Sequence, residues 1–150
     1  MIETERFTSR ELDSEIKAAT RLFSRGGLEE KHGNGDIHHY ERVARTLHDF
    51  GFNKHIVLGG LYHGIPSQHL DSIKNLTQYS RSILDGLAAF RIRRKNIKPE
   101  EQELNAFEPI LSSHPRAVDI AVIRSIERLD TLQHVQLTPA QNRTIAKVLR

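Results

Sequence analysis

Apolar residues recur with a helical period along most of this chain. In ELDSEIKAATRLF, Leu12, Ile16, Ala19 and Phe23 share one helix face. Gly26 and Gly27 end that helix, and LEEKHGNG follows as a polar, glycine-containing loop. Asp36 is placed to cap a second helix, whose stripe is Ile37, Tyr40, Ala44 and Leu47, widened by Val43 and Phe50. Asn53 is placed to cap a third, short and apolar, from about Lys54 to His63, which Gly64 and Pro66 break. A fourth helix is expected from Ser67 to about Tyr79, and a fifth over residues 80–96, weakened by Gly86. Pro99 suits the first turn of a helix over EEQELNAFEPILSS. An amphipathic run from Pro115 to about Val135 and a last helix opened by Thr138 complete the pattern. No strand-like alternation of any length occurs, and no internal repeat or low-complexity stretch. The expectation is an all-α, compact irregular bundle of seven or eight helices.

At 150 residues, the chain fits a single domain spanning 1–150. The 37% hydrophobic and 27% charged residues suit a globular rather than a disordered protein. There is no cysteine, so disulfides and thiolate metal sites are excluded. No apolar run approaches the roughly 18–20 residues that span a bilayer, and MIETERFTSRELDSE lacks the apolar centre of a signal peptide. A cytoplasmic protein that does not enter the membrane is expected. The net charge of +3 leans mildly toward phosphate-bearing partners.

Nine histidines are a high count for this length, and two of them have a suggestive placement. His39 is in step with Val43 and Phe50 on the second helix and should face inward. His63 ends the third helix, in step with Ile56, Gly59 and Gly60. One turn between antiparallel neighbours can bring the two rings together, and the glycines allow close backbone approach. The 115–135 helix carries Glu127 and Asp130, three apart on one face, either of which could add a carboxylate. Two imidazoles and a carboxylate suit Mn(II), Fe(II) or Zn(II). Without a metal, the same residues read as hydrogen-bonded core histidines and a helix acid paired with Arg124 or Arg128. His38 points about 100° from His39 around its helix and should be exposed. His32, His48, His55, His69, His114 and His134 share no ligand spacing and read as surface or structural.

In these segments the chain resembles the HD superfamily of metal-dependent phosphohydrolases, closest to the hydrolase domain of RelA/SpoT-type guanosine polyphosphate enzymes. That family's SG-x-PYI-x-HP-x-x-VA segment is similar to HGNGDIHHYERVA, with Gly33, Ile37, His39, Val43 and Ala44 matching. Its AALLHD-x-x-ED segment resembles GGLYHGIPSQ, which keeps His63 at the matching distance. Its LADRLHNMRTL segment resembles SIERLDTLQHV, which keeps Arg128 and Leu129 and sets Glu127 at the metal-binding aspartate. The likeness runs in order over roughly residues 10 to 150. It implies an HD-like helical domain, a divalent metal and a phosphorylated nucleotide as ligand. It also implies that no synthetase activity resides in this stretch.

The departures are informative. The second-motif aspartate is Gly64, the following acidic pair falls on Ser67 and Gln68, the late asparagine on Thr131 and a phosphate-binding cation on Glu30. His39, His63 and Glu127, with Asp130 as the alternative acid, leave three ligands where the family uses four, so the metal should be weakly held. The reading is a degenerate phosphohydrolase-like domain that binds a phosphorylated nucleotide with weak or absent hydrolysis. Two alternatives stand beside it: an active metalloenzyme with a His/His/carboxylate site, and a helical protein-interaction module. An aspartate at position 64 should strengthen metal binding, and it should fit if the backbone there is helical.

FRIRRKNIK, residues 90–98, holds five basic residues in nine. Cations favour a helix C-terminus, and the chain has no zinc-finger spacing, no RNA-binding aromatic pattern and no recognition helix, so nucleic-acid binding is not the expected role.

Overall fold

The computed structural model describes residues 5–26, 37–95, 109, 110 and 112–134, and beyond them 139, 140, 143, 146 and 147. Among these, helices provide the architecture and no strand occurs. Helix α1 spans Ser9–Gly26, α2 Ile37–Asp49, α3 Lys54–Tyr62, α4 Gln78–Lys95 and α5 Ala117–His134, with a 3-10 helix at Ser67–Ser72 between α3 and α4.

Local chemistry sets several of these boundaries. Thr8 and Glu11 form a capping box at the start of α1: the Thr8 N–H donates to Glu11 Oε1 at 2.9 Å, and the Glu11 N–H to Thr8 Oγ1 at 3.1 Å. Asn53 caps α3 as its sequence suggests, its Oδ1 accepting from the N–H groups of His55 and Ile56, each at 3.0 Å. Asn53→Ala is expected to lower unfolding stability by about 1 kcal/mol. Urea titration should show this as a reduced midpoint with an unchanged slope.

The helix expected over 67–79 does not form, and among the described residues five α-helices are delimited. The chain makes a single 3-10 segment, becomes extended at Ile73 (φ −91°, ψ 114°) and enters α4 only at Gln78. The physical reason lies at Thr77, whose Oγ1 accepts from the Ser80 N–H at 3.1 Å. A capping side chain needs a non-helical backbone at its own residue, so α4 starts there rather than continuing an earlier helix. The expected helices over 99–112 and from 138 onward fall largely outside the described residues, as do Asp36 and Glu30. Phe50, read as part of the α2 stripe, lies past the helix end and is 70% exposed.

The core positions read from the periodicity are buried: Leu12, Ile16, Ala19 and Phe23 on α1, and Ile37, Tyr40, Val43, Ala44 and Leu47 on α2. Helix α3 is apolar on every side and is buried from His55 through Tyr62, which makes it the central element. Its glycines bring the neighbours close. A methyl on Gly60 would lie 2.5 Å from Leu47 Cδ1, and one on Gly59 would lie 2.9 Å from Ile83 Cγ2. Against α3, the inward face of α5 carries Ile120 and Ile123, then Glu127 and Asp130 at the same helical spacing. That face is fully buried at the isoleucines and turns acidic where it meets the ends of α2 and α3. No described helix is long and apolar enough to cross a membrane.

Candidate metal centre

The acidic end of the α5 face lies against the two histidines singled out by sequence. His39 reaches it from the first turn of α2, and His63 from the C-cap of α3, both buried. One ligand atom each from His39, His63 and Glu127 fall within 4.8 Å of one another. Glu127 Oε1 is 3.3 Å from His63 Nε2 and 3.9 Å from His39 Nε2. The rings sit edge to face with centroids 5.9 Å apart.

Each imidazole is oriented by its other nitrogen. His63 Nδ1 is 2.6 Å from the Gly60 carbonyl oxygen, which only accepts, so Nδ1 carries the proton. His39 Nδ1 is 2.7 Å from Asp130 Oδ2. Asp130 is itself held by Arg42, which donates from Nε at 2.8 Å and from Nη2 at 3.0 Å. Burial would raise the Asp130 pKa, but the hydrogen bonds from Arg42 and His39 outweigh it and keep the carboxyl below its usual range. It therefore accepts from His39 Nδ1. With both Nδ1 positions donating outward, both Nε2 atoms are left facing one carboxylate oxygen.

Glu127 is an ionised carboxylate in this setting. Burial pushes its pKa up, but the neighbouring His63 and His39 rings, wherever one carries an Nε2 proton, and the Arg124 charge hold it far below the carboxylate range. Arg124 Nη1 donates to the opposite oxygen, Oε2, at 3.1 Å. The pKa of His39 is raised: burial acts against its charged form, and Glu127 and Asp130 more than offset this.

Two imidazole lone pairs aimed at an anionic oxygen repel it unless a cation lies between them. A proton on an Nε2 or a divalent ion shared by the three atoms meets this need. The donor set fits a borderline divalent ion, with neutral nitrogen twice and anionic oxygen once. The outward hydrogen bonds from Nδ1 to a carboxylate and a carbonyl match the supports that metal-bound histidines use.

Of the two acids considered, Glu127 joins the cluster and Asp130 orients His39 from behind. Sequence reading left Arg42 without a role. Its place three residues after His39, on the same helix side, was the available signal. Thr131 turns its hydroxyl back to the Glu127 carbonyl at 3.0 Å, away from any ligand position. The side chains of Ser67 and Gln68 lie outside those described, as does Gly33.

Tyr40 is the larger omission, read from sequence only as a core residue. Its ring packs 4.7 Å from His63 and 5.1 Å from His39, both edge to face, and stacks on Phe23 at 5.2 Å. It also fills the space beside Gly64. A Cβ on Gly64 would sit 2.5 Å from Tyr40 Cε2 and nearer still to Cζ and the hydroxyl. Gly64 does not have a positive φ, so its backbone would accept another residue. The side-chain environment refuses it.

Compared with protein-family models, curated proteins and solved structures, the chain matches none.

Proposed function

We propose that this protein is a divalent-metal-binding helical domain of the HD phosphohydrolase type, with His39, His63 and Glu127 as ligands. In this reading it binds a phosphorylated nucleotide and hydrolyses it weakly or not at all. The observation that carries the proposal is the convergence of His39 Nε2 and His63 Nε2 on Glu127 Oε1, with both Nδ1 atoms committed to outward hydrogen bonds. Arg42 and Asp130 fix the His39 ring, the Gly60 carbonyl fixes His63, and Arg124 steadies the glutamate.

A bound divalent ion would supply Lewis-acid polarisation of a phosphoryl oxygen. The chain's own residues supply less. Ser67 and Gln68 stand where the resemblance places water-orienting acids, and neither is a carboxylate. The absence of such a group commonly removes ~10²–10⁴-fold in rate. Weak turnover follows from that chemistry.

Elemental analysis of protein purified without chelator, followed by calorimetric titration with Zn(II) and Mn(II), tests the metal. One ion per chain is the expected stoichiometry. A protein that stays metal-free under titration would assign the cluster to an imidazolium–glutamate ion pair. Titration with a guanosine polyphosphate, with and without metal, tests the ligand, and product release should be slight. Metal binding without nucleotide binding would favour a different substrate for the metal site. Absence of both would favour the interaction-module alternative.

A further inference from the structure

Outside the histidine cluster, one cavity contains a buried acid that the metal site does not use. It lies between α1, the start of α3 and the segment leading into α4, has a volume of about 500 Å³, and includes Glu15, Arg10, Lys54, Asn75, Phe7 and Leu58 in its wall. None of the metal-site residues lines it. The volume is within the range of small-molecule sites.

Glu15 is only 7% exposed. Its carboxyl oxygens accept from the Tyr62 hydroxyl at 3.2 Å and from the Asn75 amide, both neutral donors. Among the described residues no Lys, Arg or His lies within ion-pair distance of it. A carboxylate offers about four lone-pair positions, so two donors leave acceptor capacity facing the cavity. A buried carboxylate is stable only when its charge is matched or well solvated. The complementary charge would be an ammonium group entering the cavity.

The rim is mixed: it carries Arg10 and Lys54, and Glu11, whose carboxylate is engaged by the Thr8 N–H. Lys54 is paired with Glu5. Arg10 is exposed and has no acidic partner among the described residues. The guanidinium presents a planar fork of donors suited to a carboxylate. Between acid and cation, Phe7 and Leu58 provide apolar wall for an aliphatic stem.

We propose that this cavity binds a small zwitterion bearing an ammonium and a carboxylate, the ammonium on Glu15 and the carboxylate on Arg10. The five-residue offset of Arg10 and Glu15 along α1 corresponds to ~7.5 Å of helix rise. That separation suits ω-amino acids and dipeptides, whose charged ends are several bonds apart, better than α-amino acids.

The test is calorimetric titration of the full chain with a panel of α-amino acids, ω-amino acids of increasing length and dipeptides, up to millimolar concentration. At least one member should bind saturably. Its affinity should fall by roughly tenfold or more in Arg10→Ala and in Glu15→Gln, since each removes a charge-assisted contact. N-acetylation of the same ligand should abolish binding to the natural protein. Absence of saturable binding across the panel would overturn the proposal, and so would binding indifferent to both Arg10→Ala and N-acetylation. Those two comparisons hold even if Glu15→Gln fails to fold, because Arg10 is exposed and the acetylated ligand is tested on the unaltered chain.

Discussion

His63→Ala is expected to abolish stoichiometric divalent-metal binding, with a loss well above the roughly 10–100-fold that follows removal of a supporting residue. The side chain is fully enclosed, and its Nε2 makes the shorter of the two imidazole approaches to Glu127. Glu127→Gln should have a similar effect, because it keeps the shape while removing the anionic oxygen. Asp130→Asn should weaken binding by roughly the supporting-residue amount, since Asp130 orients His39 and lies behind it. Titrations of the three variants with Zn(II) would rank these roles. A larger loss in Asp130→Asn than in Glu127→Gln would reverse the assignment of the ligand acid.

Acidity should weaken metal binding, and the sign follows from the site. Protons compete for ligand atoms, and the pKa of His39 is raised by Glu127 and Asp130 despite burial. The competition therefore begins at higher pH than for an ordinary imidazole. Apparent metal affinity should fall as pH drops through that raised value and level off above it. A pH-independent affinity would remove His39 from the ligand set.

Gly64→Asp is expected to destabilise the protein by about 3 kcal/mol or more rather than strengthen its metal site. From sequence the substitution looked tolerable on backbone grounds, and the backbone indeed raises no objection. The obstacle is Tyr40, whose ring occupies the space that a Cβ at position 64 would need. Overpacking a dense core typically costs ~1–3 kcal/mol, and here the ring is itself held by Phe23, His39 and His63. Tyr40→Ala combined with Gly64→Asp removes the clash. Tyr40→Ala alone should cost ~3–5 kcal/mol, as loss of a buried aromatic ring does. The double variant should be more stable than the sum of the two single effects by roughly 1 kcal/mol or more. It should also bind Zn(II) more tightly than Tyr40→Ala. Denaturant unfolding of all four proteins provides the cycle, and additive effects would show that the ring and position 64 do not compete for the same space.

The boundary between what was legible in sequence and what was not follows physical range. Residues that act through their own helix could be read directly. The stripe Ile37, Tyr40, Ala44 and Leu47 is buried because a 3.6-residue period fixes a common face. Asn53 caps α3 because the bond closes within three residues. The 67–79 segment does not form one helix because the Thr77 cap sets the start of α4 at Gln78, inside the stretch whose pattern suggests an earlier, separate helix.

By itself the sequence determined an all-helical chain, its core faces in α1 and α2, and a short list of groups able to hold a metal. It placed His39 inward and gave two acids of α5 one face, because helical geometry is local. Only tertiary packing decided which acid meets the imidazoles. The rotation of α5 against α2 and α3 sets Glu127 at the two Nε2 atoms and Asp130 behind His39 beside Arg42. Packing also placed Tyr40 in the space beside Gly64, residues 24 positions apart whose exclusion depends on how α2 and the end of α3 are docked. Those arrangements depend on interhelical distances of a few ångströms, which the period of one helix does not encode.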